Sequence, residues 1–422
     1  MIRFYNARLL TFAGGIKIGE GEVWTDGARI AHVGAAPAAL PEFSRQIDLR
    51  GKLIMPGFKN AHAHTAMTFF RSLADDMPLQ QWLSEQIWPN EYRLPPEAFY
   101  DLTKLGVLEY LSSGITSCFD MYMKNDHCAA AFVDCGYRAV ICASLNNFDA
   151  DITNIEREFL HFNSYNELIS YRLGIHAEYT TSMARMEYLV SLARKYEQPC
   201  FTHMSETKAE VDGCIERYGL TPPQLLDSIG FFDYGGGGIH CVWLSPEDIA
   251  LMARKGLWAV TCPASNLKLA SGVAPVDELS AAGVQLAIGT DGAGSNNALD
   301  MFREMFLVSA LQKLTRGDAA AGSADRTLEM ACVGGARAMG LNDADDLAVG
   351  KLADLVVIDL DRPNMQPVNN IARNLVYSGS KENVYMTVVN GRILYEAGEF
   401  YVGESAGDIY ARCNDWRKRV IG

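Results

Sequence analysis

Five histidines and one aspartate in this chain sit in short motifs that each close an apolar run. In chain order these are P-G-F-K-N-A-H-A-H (His62, His64), G-I-H-A-E (His176), F-T-H-M-S-E (His203, with Glu206), G-I-H-C (His240) and A-I-G-T-D-G (Asp291). Leu-Gly-Ile precedes His176, Pro-Cys-Phe-Thr precedes His203, and Val-Gln-Leu-Ala-Ile-Gly precedes Asp291, so the motifs read as strand ends. His62 and His64 are two apart and share one face of an extended strand. Imidazole together with carboxylate is the donor set of a catalytic divalent metal. A metal gathered from the ends of several strands requires a barrel arrangement.

The rest of the chain fits that requirement. Between about 56 and 347, helical stretches alternate with short apolar runs. Pro96–Leu111, Met186–Tyr196 and Pro246–Lys255 read as helices, the last with Ser245 as N-cap and Glu247 and Asp248 in its first turn. Ile115–Phe119, Ala139–Ala143 and Leu257–Thr261 read as strands between them. Strands alternating with helices imply a parallel sheet, and nearly 300 residues is the size of a (β/α)8 TIM-type barrel. Both chain ends are β-rich instead. Asp26-Gly27 and Asn390-Gly391 are two-residue hairpin signals, the second flanked by Val384–Val389 and Arg392–Tyr395. The expected organisation is a small β-sandwich domain from residues 1–55 and 348–422, and a metal-binding barrel over 56–347.

Bulk properties exclude several classes. A net charge of −14, with no Lys/Arg run that offsets it, argues against nucleic-acid binding. No apolar stretch is long enough to span a bilayer, and the N-terminus does not read as a signal peptide. Ten cysteines lie scattered with no CxxC pair, as expected for reduced, mostly buried thiols in a cytoplasmic protein. Cys200, Cys241 and Cys262 lie in or near the site motifs and read as core residues.

Each site residue has a bland reading beside the chemical one. An isolated buried pair of imidazoles is costly without a partner, which favours a metal at His62 and His64. His203 supplies a third nitrogen. Glu206, three residues on, is close enough to move a proton in the same pocket without being a ligand; alone it would pass for a helix-start carboxylate. Asp291 is a hard oxygen ligand and a proton acceptor, or else a turn aspartate before Gly292. His240 is either a fourth ligand or a base that orients water. With His62, His64, His203 and Asp291 as ligands, His240 fits better outside the metal sphere. No lysine ends the strand carrying His176, so one metal is expected, not a lysine-bridged pair. A divalent metal lowers the pKa of bound water from about 15.7 toward roughly 7. With Glu206 as proton carrier, that machinery hydrolyses C–N bonds.

This set resembles the amidohydrolase superfamily, and more closely its 5-methylthioadenosine/S-adenosylhomocysteine deaminase branch. The resemblance rests on P-G-F-K-N-A-H-A-H-T-A-M (56–67), Arg71 and Trp82 in R-S-L-A-D-D-M-P-L-Q-Q-W-L, W-P-N-E (88–91) and H-M-S-E-T (203–207). It continues in G-I-H-C-V (238–242), C-P-A-S-N-L-K-L (262–269), G-T-D-G-A-G-S-N-N (289–297) and the G-K-L-A-D-L-V-V-I-D segment near 350. It implies a purine nucleoside aminohydrolase with one divalent metal, usually zinc, with Fe2+ or Mn2+ as alternatives. His62, His64, His203 and Asp291 match the ligands, Glu206 the proton shuttle at the ring nitrogen, and His240 the histidine that polarises water. Glu91 matches a carboxylate that binds the ribose hydroxyls, and His176 a histidine that contacts the base. Trp82 either walls the pocket or belongs to the core. The implied partner is a small nucleoside substrate, and barrels of this kind often pair as homo-oligomers.

Two departures stand out. Residues 142–151 contain two aspartates and no arginine, which disfavours the carboxylate-bearing S-adenosylhomocysteine against adenosine, 5′-deoxyadenosine or 5′-methylthioadenosine. Glu178, two places after His176, either adds a second carboxylate to the pocket, suited to a donor-rich base, or lies outside it. The rival readings are a deaminase of a free heterocycle (guanine, 8-oxoguanine, cytosine, a pterin or a triazine) and a non-catalytic metal-binding scaffold.

Overall fold

The computed structural model describes residues 1–148 and 151–422. Strands β1 (Ile2–Thr11), β2 (Lys17–Asp26), β3 (Arg29–Gly34), β4 (Arg45–Asp48) and β5 (Leu53–Pro56) open the chain. The barrel strands are β6 (Phe58–Ala63), β7 (Ile115–Asp120), β8 (Arg138–Cys142), β9 (Ile169–Ala177), β10 (Cys200–Met204), β11 (Gly236–His240), β12 (Trp258–Thr261) and β13 (Gln285–Ile288). Strands β14 (Leu355–Ile358), β15 (Val384–Val389), β16 (Arg392–Glu396) and β17 (Glu399–Phe400) follow.

The two ends make one mixed sheet in the order β17-β16-β15-β14-β5-β1-β2-β3, with β4 beside β1. Strand β5 is the joint: it runs parallel to β1 and antiparallel to β14. The expected sandwich is thus a single continuous nine-stranded sheet, which encloses a hydrophobic cluster including Phe4, Val23, Ile54, Leu355 and Met386. The Asn390-Gly391 hairpin forms as its sequence demands. Val389 pairs with Arg392, and both turn residues take positive φ, 52° and 74°.

Strands β6 to β13 form an eight-stranded parallel sheet in sequence order. Strands β6, β7, β8 and β10 are buried along their whole length, as parallel strands covered on both faces are. The sheet nearly closes on itself, and side chains stitch the last gap. The Asn60 amide donates to Thr290 Oγ1 at 2.7 Å and accepts from the Thr290 amide at 2.8 Å. The Asp291 amide donates to the His62 carbonyl at 3.0 Å. Glycines set how closely strands approach in the middle of the barrel: a Cβ on Gly237 would lie 2.2 Å from the Trp258 carbonyl oxygen.

The expected helices are present with small shifts. One runs Pro96–Ser112 and another Met183–Tyr196, three residues earlier than the apolar pattern suggests. Pro246–Lys255 begins as expected, with the Ser245 hydroxyl accepting from the Asp248 amide at 3.1 Å. Among the described residues no helix is long and apolar enough to cross a membrane.

Candidate active site

All the strand-end motifs open into one cavity of about 560 Å³, bounded by His64, His176, His203, Glu206, His240 and Asp291 among others. The chain turns sharply where these residues sit. Ser205, His240, Cys241 and Asp291 all take left-handed φ values between 50° and 73°. Non-glycine residues in that region store strain, which clusters at functional sites.

Four side chains converge at the cavity floor. His62 Nε2 lies 3.2 Å from His203 Nε2 and 3.5 Å from Asp291 Oδ1. His64 Nε2 lies 3.4 Å from the same Asp291 oxygen. Donor atoms of His62, His64 and Asp291 lie within 4.8 Å of one another, as do those of His62, His203 and His240. The outer ring nitrogens show how two rings are oriented. His203 Nδ1–H donates to the His176 carbonyl at 2.6 Å, and His64 Nδ1–H donates to the Met121 carbonyl. A carbonyl only accepts, so each Nε2 turns its lone pair inward. Burial drives the His62 pKa down to about 3 and that of His203 well below its usual value. Both are therefore neutral imidazoles, the form that binds metal. Burial alone would raise the Asp291 carboxyl, but His62 and His64 hold it well below the usual carboxylate range. The inward lone pairs of His64 and His203, with His62 Nε2 and a carboxylate oxygen beside them, fit one divalent cation.

Beside this cluster, Glu206 is 8% exposed and burial pushes its pKa up. Its Oε2 lies 3.7 Å from His240 Nε2. Burial disfavours protonated His240, yet the neighbouring Glu206 and Asp291 carboxylates outweigh it and raise the pKa. The arrangement pairs a carboxyl inclined to hold a proton with an imidazole inclined to take one.

Glu91 lies at the end of the short helix Trp88–Glu91 and is 8% exposed. The Tyr122 hydroxyl donates to its Oε1 at 2.5 Å, and burial raises its pKa. Glu91 lines the same cavity as the histidines, and so does Trp82, which is 5% exposed. His176 faces the cavity with Nδ1 2.9 Å from the Thr180 hydroxyl.

Glu178 requires a correction. It is not part of the cavity wall, whereas its neighbours His176 and Tyr179 are. Its side chain turns the other way and pairs with Arg217 on the helix Lys208–Tyr218 at 2.5 Å. The reason is local: β9 ends at Ala177 and the chain enters a 3-10 turn at Glu178–Thr180, which breaks the two-residue alternation. Of the segment 142–151, Ser144, Leu145, Asn146, Phe148 and Asp151 line the cavity, while Asp149 and Ala150 lie outside the described residues.

The sequence reading passed over Tyr122, Ser265, Asn266 and Ser271. Ser265 and Asn266 lie inside the C-P-A-S-N-L-K-L motif, so a signal existed without a role attached to it. Tyr122 has no signal, because a tyrosine after an apolar strand reads as core.

Comparison with known proteins agrees with this geometry. The amidohydrolase family profile matches residues 53–394. A 5-methylthioadenosine/S-adenosylhomocysteine deaminase of Moorella thermoacetica is 40% identical over 407 residues, covering 94% of this chain and 95% of that protein. A 5′-deoxyadenosine deaminase of Methanothermobacter thermautotrophicus is 39% identical over 399 residues, covering 93% and 92%. A zinc-bound adenosine deaminase structure from Xanthomonas campestris superposes with a TM-score of 0.93 at 32% identity, covering 99% of this chain and 98% of that one. With its barrel, its strand-end histidines and its aspartate in place, the chain belongs to the amidohydrolase family.

Proposed function

We propose that this protein is a metal-dependent hydrolytic deaminase of an adenine nucleoside, such as adenosine, 5′-deoxyadenosine or 5′-methylthioadenosine. The net reaction replaces the exocyclic amino group with oxygen from water and releases ammonia. The observation that carries the reading is Glu91. A buried carboxylate shares one cavity with the His/Asp cluster and with Glu206. A carboxylate accepts two hydrogen bonds from a vicinal diol, and a free base has no diol to offer. The deaminase names of the relatives point the same way.

In this reading His62, His64, His203 and Asp291 hold one divalent cation, with zinc favoured by the zinc-bound relative. Bound there, the cation supplies Lewis acidity and makes water acidic near neutral pH. His240 and Asp291 accept the proton that water gives up. Glu206, kept protonatable by burial, delivers a proton to the ring nitrogen beside the amino-bearing carbon. His176 contacts the base and Trp82 walls the pocket. Residues 56–347 act as the catalytic domain, and residues 1–55 with 348–422 as the composite β domain. Ten buried, unbridged cysteines support a reducing, cytoplasmic setting, and the subunits pair as homo-oligomers. The test is ammonia release by metal-loaded protein from a panel of adenine nucleosides and free heterocycles. Release from nucleosides is expected; release from free bases alone would overturn the reading.

A further inference from the structure

One short stretch of chain touches all three groups assigned to proton transfer. The Ser265 hydroxyl donates to Asp291 Oδ2 at 2.6 Å. Asn266 Oδ1 lies 2.8 Å from His240 Nδ1. The Ser271 hydroxyl donates to Glu206 Oε1 at 3.3 Å. Asp291, His240 and Glu206 come from three different parts of the barrel rim and are 51 and 34 positions apart in sequence order. Their common neighbour is the helix Pro263–Lys268 and the turn that follows it.

The contacts are specific in what they fix. An amide oxygen only accepts, so His240 Nδ1 carries the proton and Nε2 faces Glu206. Ser265 occupies Asp291 Oδ2, which leaves Oδ1 toward His62 and His64. Ser265, Asn266 and Ser271 are 0%, 1% and 4% exposed, so water does not compete for these bonds. Asn266 Nδ2 is buried without a partner, a cost that an apolar residue would avoid. Among the described residues, His240 is the hydrogen-bond partner of the Asn266 side chain.

The stretch is itself held at both ends. The Ala264 amide donates to Glu304 Oε2 at 3.1 Å. The Ser271 amide donates back to the Asn266 carbonyl at 2.8 Å, and Trp243 Nε1 donates to the Ser271 carbonyl at 2.7 Å. Lys268 bridges Asp75 and the Gly294 carbonyl.

We infer that Cys262–Ser271 is a positioning frame, in which Ser265, Asn266 and Ser271 set the mutual geometry of Asp291, His240 and Glu206. The inference rests on the deaminase reading for its chemistry but not for its geometry. Groups held by one rigid element keep their spacing through the reaction, and small misplacements of such groups are costly in rate. Because the three contacts serve one geometry, their losses do not add.

The test uses the zinc-loaded, full-length enzyme and its variants S265A, N266A, N266D and S271A. In each alanine variant kcat falls at least about tenfold while KM stays within about threefold and bound zinc per subunit is unchanged. The triple alanine variant loses much less than the product of the three single losses. N266D keeps an acceptor oxygen at the same place and recovers most of the N266A loss. An activity-independent readout accompanies these: the hydrogen-bonded His240 Nδ1–H proton, followed by NMR in histidine-labelled protein, persists in N266D and disappears in N266A. Loss confined to KM, kcat unchanged in the alanine variants, or an N–H signal that survives in N266A would each overturn the inference. Wild-type enzyme that releases no ammonia would sink the deaminase reading instead, and the N–H signal would still decide the frame.

Discussion

His62 Nε2 and His203 Nε2 face each other at 3.2 Å across the floor of the cavity. Both rings are neutral, so two ring nitrogens meet at a distance that a shared cation or proton makes favourable. Removing the metal with a chelator is expected to abolish activity and lower the unfolding midpoint, and stoichiometric zinc to restore both. A cation present at 100 times its dissociation constant stabilises the fold by about 2.7 kcal/mol. Calorimetry with and without chelator checks this; an unchanged midpoint would count against the metal site.

Glu206→Gln keeps the shape of the side chain and removes its ability to deliver a proton. Loss of a positioned acid–base group lowers kcat by about 10²- to 10⁴-fold. Bound metal should be unaffected, because Glu206 is not assigned as a ligand. Steady-state rates together with metal analysis distinguish this from loss of the metal.

Glu91→Gln tests substrate class. Replacing a charged acceptor by a neutral one costs about 1.5–3 kcal/mol per lost charge-assisted bond, or roughly 10- to 150-fold in kcat/KM for nucleosides. The Tyr122 hydroxyl retains a partner in the amide oxygen, so the fold should tolerate the change. Equal losses on adenosine and on a base lacking ribose would refute the ribose role.

Glu178→Gln should leave kcat and KM within about threefold of wild type, since the side chain faces Arg217 and not the cavity. A specific loss of substrate affinity would restore Glu178 to the pocket.

Glu304 should make a contribution to stability that falls as pH rises from 5 to 8, read as the difference between wild type and Glu304→Gln. Burial pushes its carboxyl up to about 8, whereas an unfolded glutamate titrates near 4.5. Between those values the folded chain holds a proton that the unfolded chain has lost, so this contribution to ΔG of unfolding decreases with pH across that window. Glu304→Gln mimics the protonated carboxyl and should flatten the slope. Denaturant unfolding of both proteins at pH 5 and pH 8 measures the difference.

Much of the site was legible before any coordinates. The spacing of His62 and His64 on one strand, the apolar runs ending in His203, His240 and Asp291, and the Asn390-Gly391 turn are local patterns, and local patterns follow from strand period and turn sterics. The barrel was likewise expected from the alternation of strands and helices, and the joint β domain from the β-rich, hairpin-bearing ends. Glu178 shows the limit. Its position two residues after His176 places it on the same face only while the strand continues, and the 3-10 turn at 178–180 ends that continuity.

What the sequence determined by itself was the candidate set: three histidines and an aspartate at strand ends with a glutamate nearby, residue types and spacings that suit a divalent metal and a proton carrier. What only the tertiary structure decided was geometry between distant parts of the chain. Asn60 reaching Thr290 closes the barrel, Tyr122 reaching Glu91 orients that buried carboxylate, and Ser265, Asn266 and Ser271 touch Asp291, His240 and Glu206. Such contacts join residues tens to hundreds of positions apart. Motifs mark some of these residues but not which partners they meet, because the energy of each contact exists only once the barrel has brought the partners within hydrogen-bond reach.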